Sequence, residues 1–132
     1  MTSELNLRDL AAGQACQNPQ AFTGFNSLRA NITSDPDDID AVRITVEQAP
    51  DALTAPNEIH RARWAFDTYS RRHPDELVVI DSVTPSHFRP ANAETDHAVV
   101  RAKGRVAQQV ADLFSRDRVT IDPALRDLLT SA

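Results

Sequence analysis

The stretch TSDPDDIDAVRITVEQAP, residues 33–50, decides the fold, because it satisfies two incompatible patterns. Asp35 followed by Pro36, Asp37 and Asp38 has the chemistry of a helix start: proline suits the first turn, and early carboxylates complement the helix dipole. Ile39, Val42 and Val46 then fall on one helical stripe. Against this, Val42, Ile44 and Val46 alternate with polar residues as a half-buried strand does, and β-branching favours that conformation. A helix is the expectation here; a strand over 42–46 is the alternative.

Upstream, a first helix is expected over residues 4–16, capped by Ser3, with Leu7, Leu10 and Ala11 facing inward. Asn18-Pro19 ends it, and Phe22-Thr23-Gly24-Phe25 reads as an irregular apolar anchor. Downstream the signals are stronger. Thr54 caps a helix with Pro56 in its first turn and Ile59, Ala62, Phe66 and Tyr69 on one face. Pro74 disfavours the helical conformation at His73 and stops it there. Leu77–Val83 follows as a short buried strand, or as an extended segment packed under the helices, then a loop over 84–92 marked by Pro85 and Pro90. The longest helix is expected over 93–115, capped by Asn92, with Ala98, Ala102, Val106, Val110 and Leu113 on its face. Gly104 inside that helix would cost about 1 kcal/mol relative to alanine. Asp122-Pro123 opens a last short helix through Leu128 and Leu129.

The expected fold class is therefore mainly α: a small helical bundle with one to three short β-strands, in a single domain over residues 1–132. The alternative is a small three-stranded α/β domain, with strands at 42–46, 77–83 and 118–121.

At 132 residues, with 41% hydrophobic and 25% charged content, the chain has the composition of one globular domain. A lone cysteine, Cys16, forms no internal disulfide, so a reducing, cytoplasmic setting is expected. No apolar run approaches the ~20 residues needed to cross a bilayer, so no membrane partner is expected. The net charge of −5 is uneven: residues 1–55 carry eight acids against three arginines, whereas residues 56–105 carry seven acids against eight bases. All the basic residues except Lys103 are arginine, whose planar fork suits phosphate and carboxylate. Overall acidity argues against non-specific coating of DNA but allows a local arginine cluster.

Enzymatic motifs are scarce. Gly13, Gly24 and Gly104 are too far apart for a phosphate loop. Cys16 has no histidine near it in sequence, and His60, His73, His87 and His97 lack metal-ligand spacing, so neither cofactor nor metal is expected. Asp81, at the end of Val78–Ile80, could pair with His87 or His97 for acid–base work, provided that it lies in a concave pocket.

The break at His73-Pro74-Asp75 has three readings. The first is an ordinary helix stop, with Arg71 and Arg72 favouring the C-terminal dipole. The second follows from Glu58-Ile59, Ala62, Phe66, Arg71-Arg72 and His73-Pro74-Asp75, which resemble the basic second helix and tripeptide loop of J-domain co-chaperones. That resemblance implies a chaperone ATPase as partner, engaged by His73, Pro74 and Asp75. The third follows from Ala65-Phe66-Asp67-Thr68, Arg71-Arg72, Val78-Val79-Ile80-Asp81, Pro90, Ala93-Glu94-Thr95, Ala98 and Arg101. In that order they resemble coat proteins of tobamovirus-like, rod-shaped RNA viruses. The resemblance implies self-assembly on single-stranded RNA. Arg71, Arg72 and Arg101 would then be phosphate contacts, and Asp67, Asp81 and Glu94 the carboxylates that loosen the rod. It departs from that pattern at Val100, Lys103 and Gly104.

The functional expectation is a non-enzymatic, self-assembling or partner-binding protein. In its most concrete form it is a helical-rod RNA coat subunit, located in a virion. The alternatives are a J-like co-chaperone or an intracellular accessory domain.

Overall fold

The computed structural model describes residues 6–12, 24–49, 56–84 and 96–125. In chain order they form helix α1 (Leu7–Ala12), strands β1 (Leu28–Asp35) and β2 (Asp38–Gln48), and helix α2 (Pro56–Arg72). Strands β3 (Leu77–Val83) and β4 (His97–Lys103), helix α3 (Gly104–Ala111) and strand β5 (Val119–Ile121) complete the order. Short 3-10 turns at Arg116–Arg118 and Pro123–Leu125 flank β5.

The fold is a five-stranded mixed sheet, ordered β3-β4-β2-β1-β5. Every neighbouring pair is antiparallel except β1 and β5, which run parallel with Ala30 opposite Val119. The mainly α expectation is overturned. The three-stranded alternative placed strands at 42–46, 77–83 and 118–121 but omitted β1 and β4.

Residues 33–50 resolve as strand because Asp-Pro serves a turn as well as a helix. Pro36 and Asp37 form the two-residue turn between Asp35 and Asp38, and the Asp35 side chain accepts the Asp37 N–H at 2.7 Å. Proline after aspartate is favoured in a type I turn, and no non-glycine residue here has positive φ. The register then slips, and Ile39 is left 95% exposed in place of joining a core stripe. Beyond it Val42, Ile44 and Val46 are buried, with Ile44 opposite Ile32 and Val46 opposite Ala30 on the adjacent strand's inner face.

The expected helix over 93–115 is also overturned. Its first half is β4, with Ala98, Val100 and Ala102 buried, and α3 begins at Gly104 with φ +53°. Gly104 thus turns the chain out of a strand and does not sit inside a helix. The Asn92 cap, the Thr54 cap, the ends of the first and last expected helices, and the 85–92 loop lie outside the described residues.

All three helices contribute to one core against a single face of the sheet. Leu7 and Ala11 come from α1, Ile59, Ala62, Ala65, Phe66 and Tyr69 from α2, and Val106, Ala107 and Val110 from α3. Polar bonds fix the helices in place. The Glu58 carboxylate accepts both the Ser27 N–H (3.0 Å) and its hydroxyl (2.9 Å), and Arg61 donates to the Ala11 carbonyl at 2.9 Å. Arg61 also lies over the Phe25 ring, 5.6 Å from its centroid. The opposite face of the sheet carries Arg29, Asn31, Arg43, Thr45, Glu47, His97, Val99 and Arg101, all half-buried. Among the described residues no helix covers that face.

Candidate functional site

Three places gather chemistry, and the residues around β3 build the first. Helix α2 starts on Pro56, carries Glu58 in its first turn and Arg71 and Arg72 in its last, and so matches the dipole at both ends. Pro74 ends it. The His73 carbonyl accepts the N–H groups of Glu76 (3.0 Å) and Leu77 (3.1 Å), turning the chain directly into β3. Strand β3 is an edge strand, and its outer side has no strand partner among the described residues.

Lys103 donates to the Glu76 carbonyl at 3.0 Å, so the alternation of an antiparallel ladder turns the backbone groups of Leu77 and Val79 outward. The Leu77 N–H is taken by His73; the Leu77 carbonyl and both Val79 groups face the open edge. Beside them lies a groove of about 320 Å³. Asp67, Ser70 and Arg71 of α2 form one wall and Leu77, Val78 and Val79 of β3 the other. Four large apolar side chains are exposed among the described residues, and three belong to the two elements that wall the groove: Trp64 on α2 and Val78 and Ile80 on β3, of which Val78 lines it. Trp64, Asp67 and Arg71 share one helical stripe by their spacing.

The second place is a charge cluster at the β1–β2 turn. The Asp35 side chain is fully buried and accepts from Arg101 Nε at 2.5 Å. Arg101 also reaches Asp37 at 3.4 Å, and Lys103 pairs with Asp38 at 3.2 Å. The bond from Arg101, aided by the Asp37 amide, holds the Asp35 carboxyl below the usual carboxylate range in spite of burial. Asp38 is held down likewise, first by the Asp40 amide and then by Lys103. Arg43 stands directly opposite Arg101 on the neighbouring strand, with its Nε buried and without a hydrogen-bond partner. A small cavity of about 170 Å³ adjoins this cluster, bordered by Asp38, Val78, Arg101 and Lys103.

The third is a pair on the open sheet face, His97 Nε2 and Asp81 Oδ2 at 2.9 Å. The bond from His97 keeps the Asp81 carboxyl below its ordinary range. The histidine is thus within hydrogen-bond reach, but the Asp81 side chain is 62% exposed and borders neither of the two cavities.

The residues singled out in the sequence are not gathered into one site. Arg71 and Arg72 are exposed at the end of α2, on the helical side, whereas Arg101 lies on the open face and is bonded to Asp35. Asp67 pairs with Arg63 (3.2 Å) and Asp81 with His97, so these two carboxylates have separate partners. Glu94 and His87 lie outside the described residues. His73 stacks on Tyr69, with ring centroids 4.6 Å apart, and Pro74 and Asp75 are exposed. Sequence reasoning missed the exposed Val78 and Ile80, assigned to a buried strand, and Trp64. Alternation alone could not show that β3 was an edge. Among the described residues there is no cluster of three His, Cys, Asp or Glu that could hold a metal, and no helix long and apolar enough to cross a membrane. The chain matches no protein-family model, no curated protein and no solved structure.

Proposed function

We propose that this protein is a non-catalytic binding domain that receives an extended segment of a partner protein as an added strand on β3. The observation that carries the reading is the exposure of Val78 and Ile80 on an edge strand whose outer side has no strand partner among the described residues, beside a groove walled by α2. Strand addition draws affinity from main-chain hydrogen bonds and specificity from alternate side chains set into a helix–strand groove. An apolar edge strand left without a partner invites aggregation. A random decapeptide display library, selected on the whole protein, tests this. Enrichment that is lost on Ile80→Lys, with unchanged thermal unfolding, supports the reading; no enrichment, or enrichment indifferent to Ile80→Lys, overturns it.

A co-chaperone reading draws on one observation, the exposure of Pro74 and Asp75 in the turn after α2. It requires that the protein stimulate a chaperone ATPase and that His73→Gln abolish the effect. A rod-forming RNA coat subunit requires particles that grow on acidification or with single-stranded RNA, measured by light scattering near pH 7 and pH 5. The helix on which that resemblance set Arg101 is strand β4.

A further inference from the structure

We infer that the segment added to β3 is acidic as well as apolar, with a carboxylate seated against Arg71; this rests on the strand-addition reading above. Arg71 is exposed on the wall of the groove and makes no ion pair with a described residue. Its neighbours are occupied: Asp67 is held by Arg63 at 3.2 Å, and the Ser70 hydroxyl donates to the Asp67 carbonyl at 3.0 Å. Among the described residues the unmatched charge of the groove is therefore positive.

A guanidinium on an apolar wall is well suited to a carboxylate. It is weakly hydrated for a cation, and its planar fork bonds both oxygens at once. The side chains of an added strand alternate between faces. One that places a carboxylate at Arg71 sets apolar residues two positions away against Leu77 and Val79, and its other face against Val78 and Ile80.

A second copy of this chain fits poorly. Antiparallel pairing of two β3 edges would bring Asp75 and Glu76 of one copy toward the Asp81 end of the other. Like charges opposed across strands are destabilising. The occupant is accordingly a different chain.

The sequences recovered from the decapeptide library decide this. Alternating aliphatic residues with Asp or Glu at one fixed position are expected. A synthetic representative should bind about tenfold more weakly to Arg71→Glu, and selection on that variant should return Lys or Arg at the same position. Enriched sequences without a fixed acid, or undiminished binding to Arg71→Glu, would overturn the inference. If Ile80→Lys still abolished capture, strand addition would survive that result. Self-association that excludes every peptide, seen as a dimer by light scattering that Ile80→Lys dissolves, would overturn it as well.

Discussion

Arg101 Nε donates to Asp35 Oδ2 at 2.5 Å, and the bond ties the turn between β1 and β2 to β4, on the far side of β2. Asp35 is buried there as an anion, and its carboxyl is held below the usual range first by Arg101. A group whose pKa is lower in the folded state than in the unfolded one stabilises the fold above its unfolded value, about 3.9 for aspartate. That stabilisation is lost as the pH falls through the folded value. Asp38 and Asp81 shift in the same direction. Urea midpoints should therefore be level near neutrality and decline below about pH 4, with a shallower decline in Asp35→Asn, which is less stable at neutral pH.

Arg43 and Arg101 face each other, but only Arg101 hydrogen-bonds Asp35. Arg43 comes no closer to Asp35 than 3.9 Å, and its buried Nε has no acceptor. Removing it gives up long ion pairs with Asp35 (3.9 Å) and Asp37 (3.7 Å) but relieves a like-charge contact and an unsatisfied donor. Arg43→Val should change stability by no more than about 0.5 kcal/mol. Arg101→Ala should lower the melting temperature clearly, because it strands the Asp35 carboxylate. Equal losses from the two variants would contradict this account.

Gly24 and Gly104 both have positive φ, but their surroundings differ. A Cβ at Gly24 would stand 3.0 Å from the Leu113 carbonyl oxygen, whereas at Gly104 nothing lies within 4 Å. Gly104→Ala therefore incurs only the left-handed backbone term, roughly 1–2 kcal/mol. Gly24→Ala adds a clash beside the bond from the Phe25 N–H to the Leu113 carbonyl (2.7 Å) and should be the more destabilising in denaturant melts.

Trp64 and Phe66 are two residues apart on α2 and should behave oppositely. Phe66 is fully buried under the sheet, and Phe66→Ala should cost about 3–5 kcal/mol. Trp64 is 47% exposed, and Trp64→Ala should alter stability by about 0.5 kcal/mol or less while weakening capture of selected peptides. A large stability loss in Trp64→Ala would mean that it packs into the core.

Helix α2 and strand β3 were legible in the sequence because their boundaries are chemical: Pro56 at one end, Pro74 at the other, and a β-branched run after it. The 93–115 region was misread for a reason visible in its numbering. Ala98, Ala102, Val106 and Val110 are all buried, as a helical stripe requires, yet the first two lie in β4 and the last two in α3. A spacing of four returns to the same face of a helix and of a strand alike. The intermediate positions separate the two cases: Val100 is buried between Ala98 and Ala102, the alternation of a strand.

The candidate site was legible in part. Arg71 and the His73-Pro74-Asp75 turn border β3, and Arg71 and Pro74 line its groove. The exposure of Val78 and Ile80 depends on strand order, which is set by pairings between residues far apart in the chain. Local propensity carries no record of which strand lies outermost.

The parallel pairing of β5 with β1 joins Ala30 to Val119 and Ile32 to Ile121. During synthesis β1 and β2 emerge long before their last neighbour, and chains with such distant pairings fold slowly. Until residue 121 has left the ribosome, the outer side of β1 is an uncovered template as well. The growing polypeptide therefore passes through a stage with two unfinished flanks, and emergence of β5 closes one of them. A translation pause before β5 emerges would prolong that stage and raise the demand for holding factors.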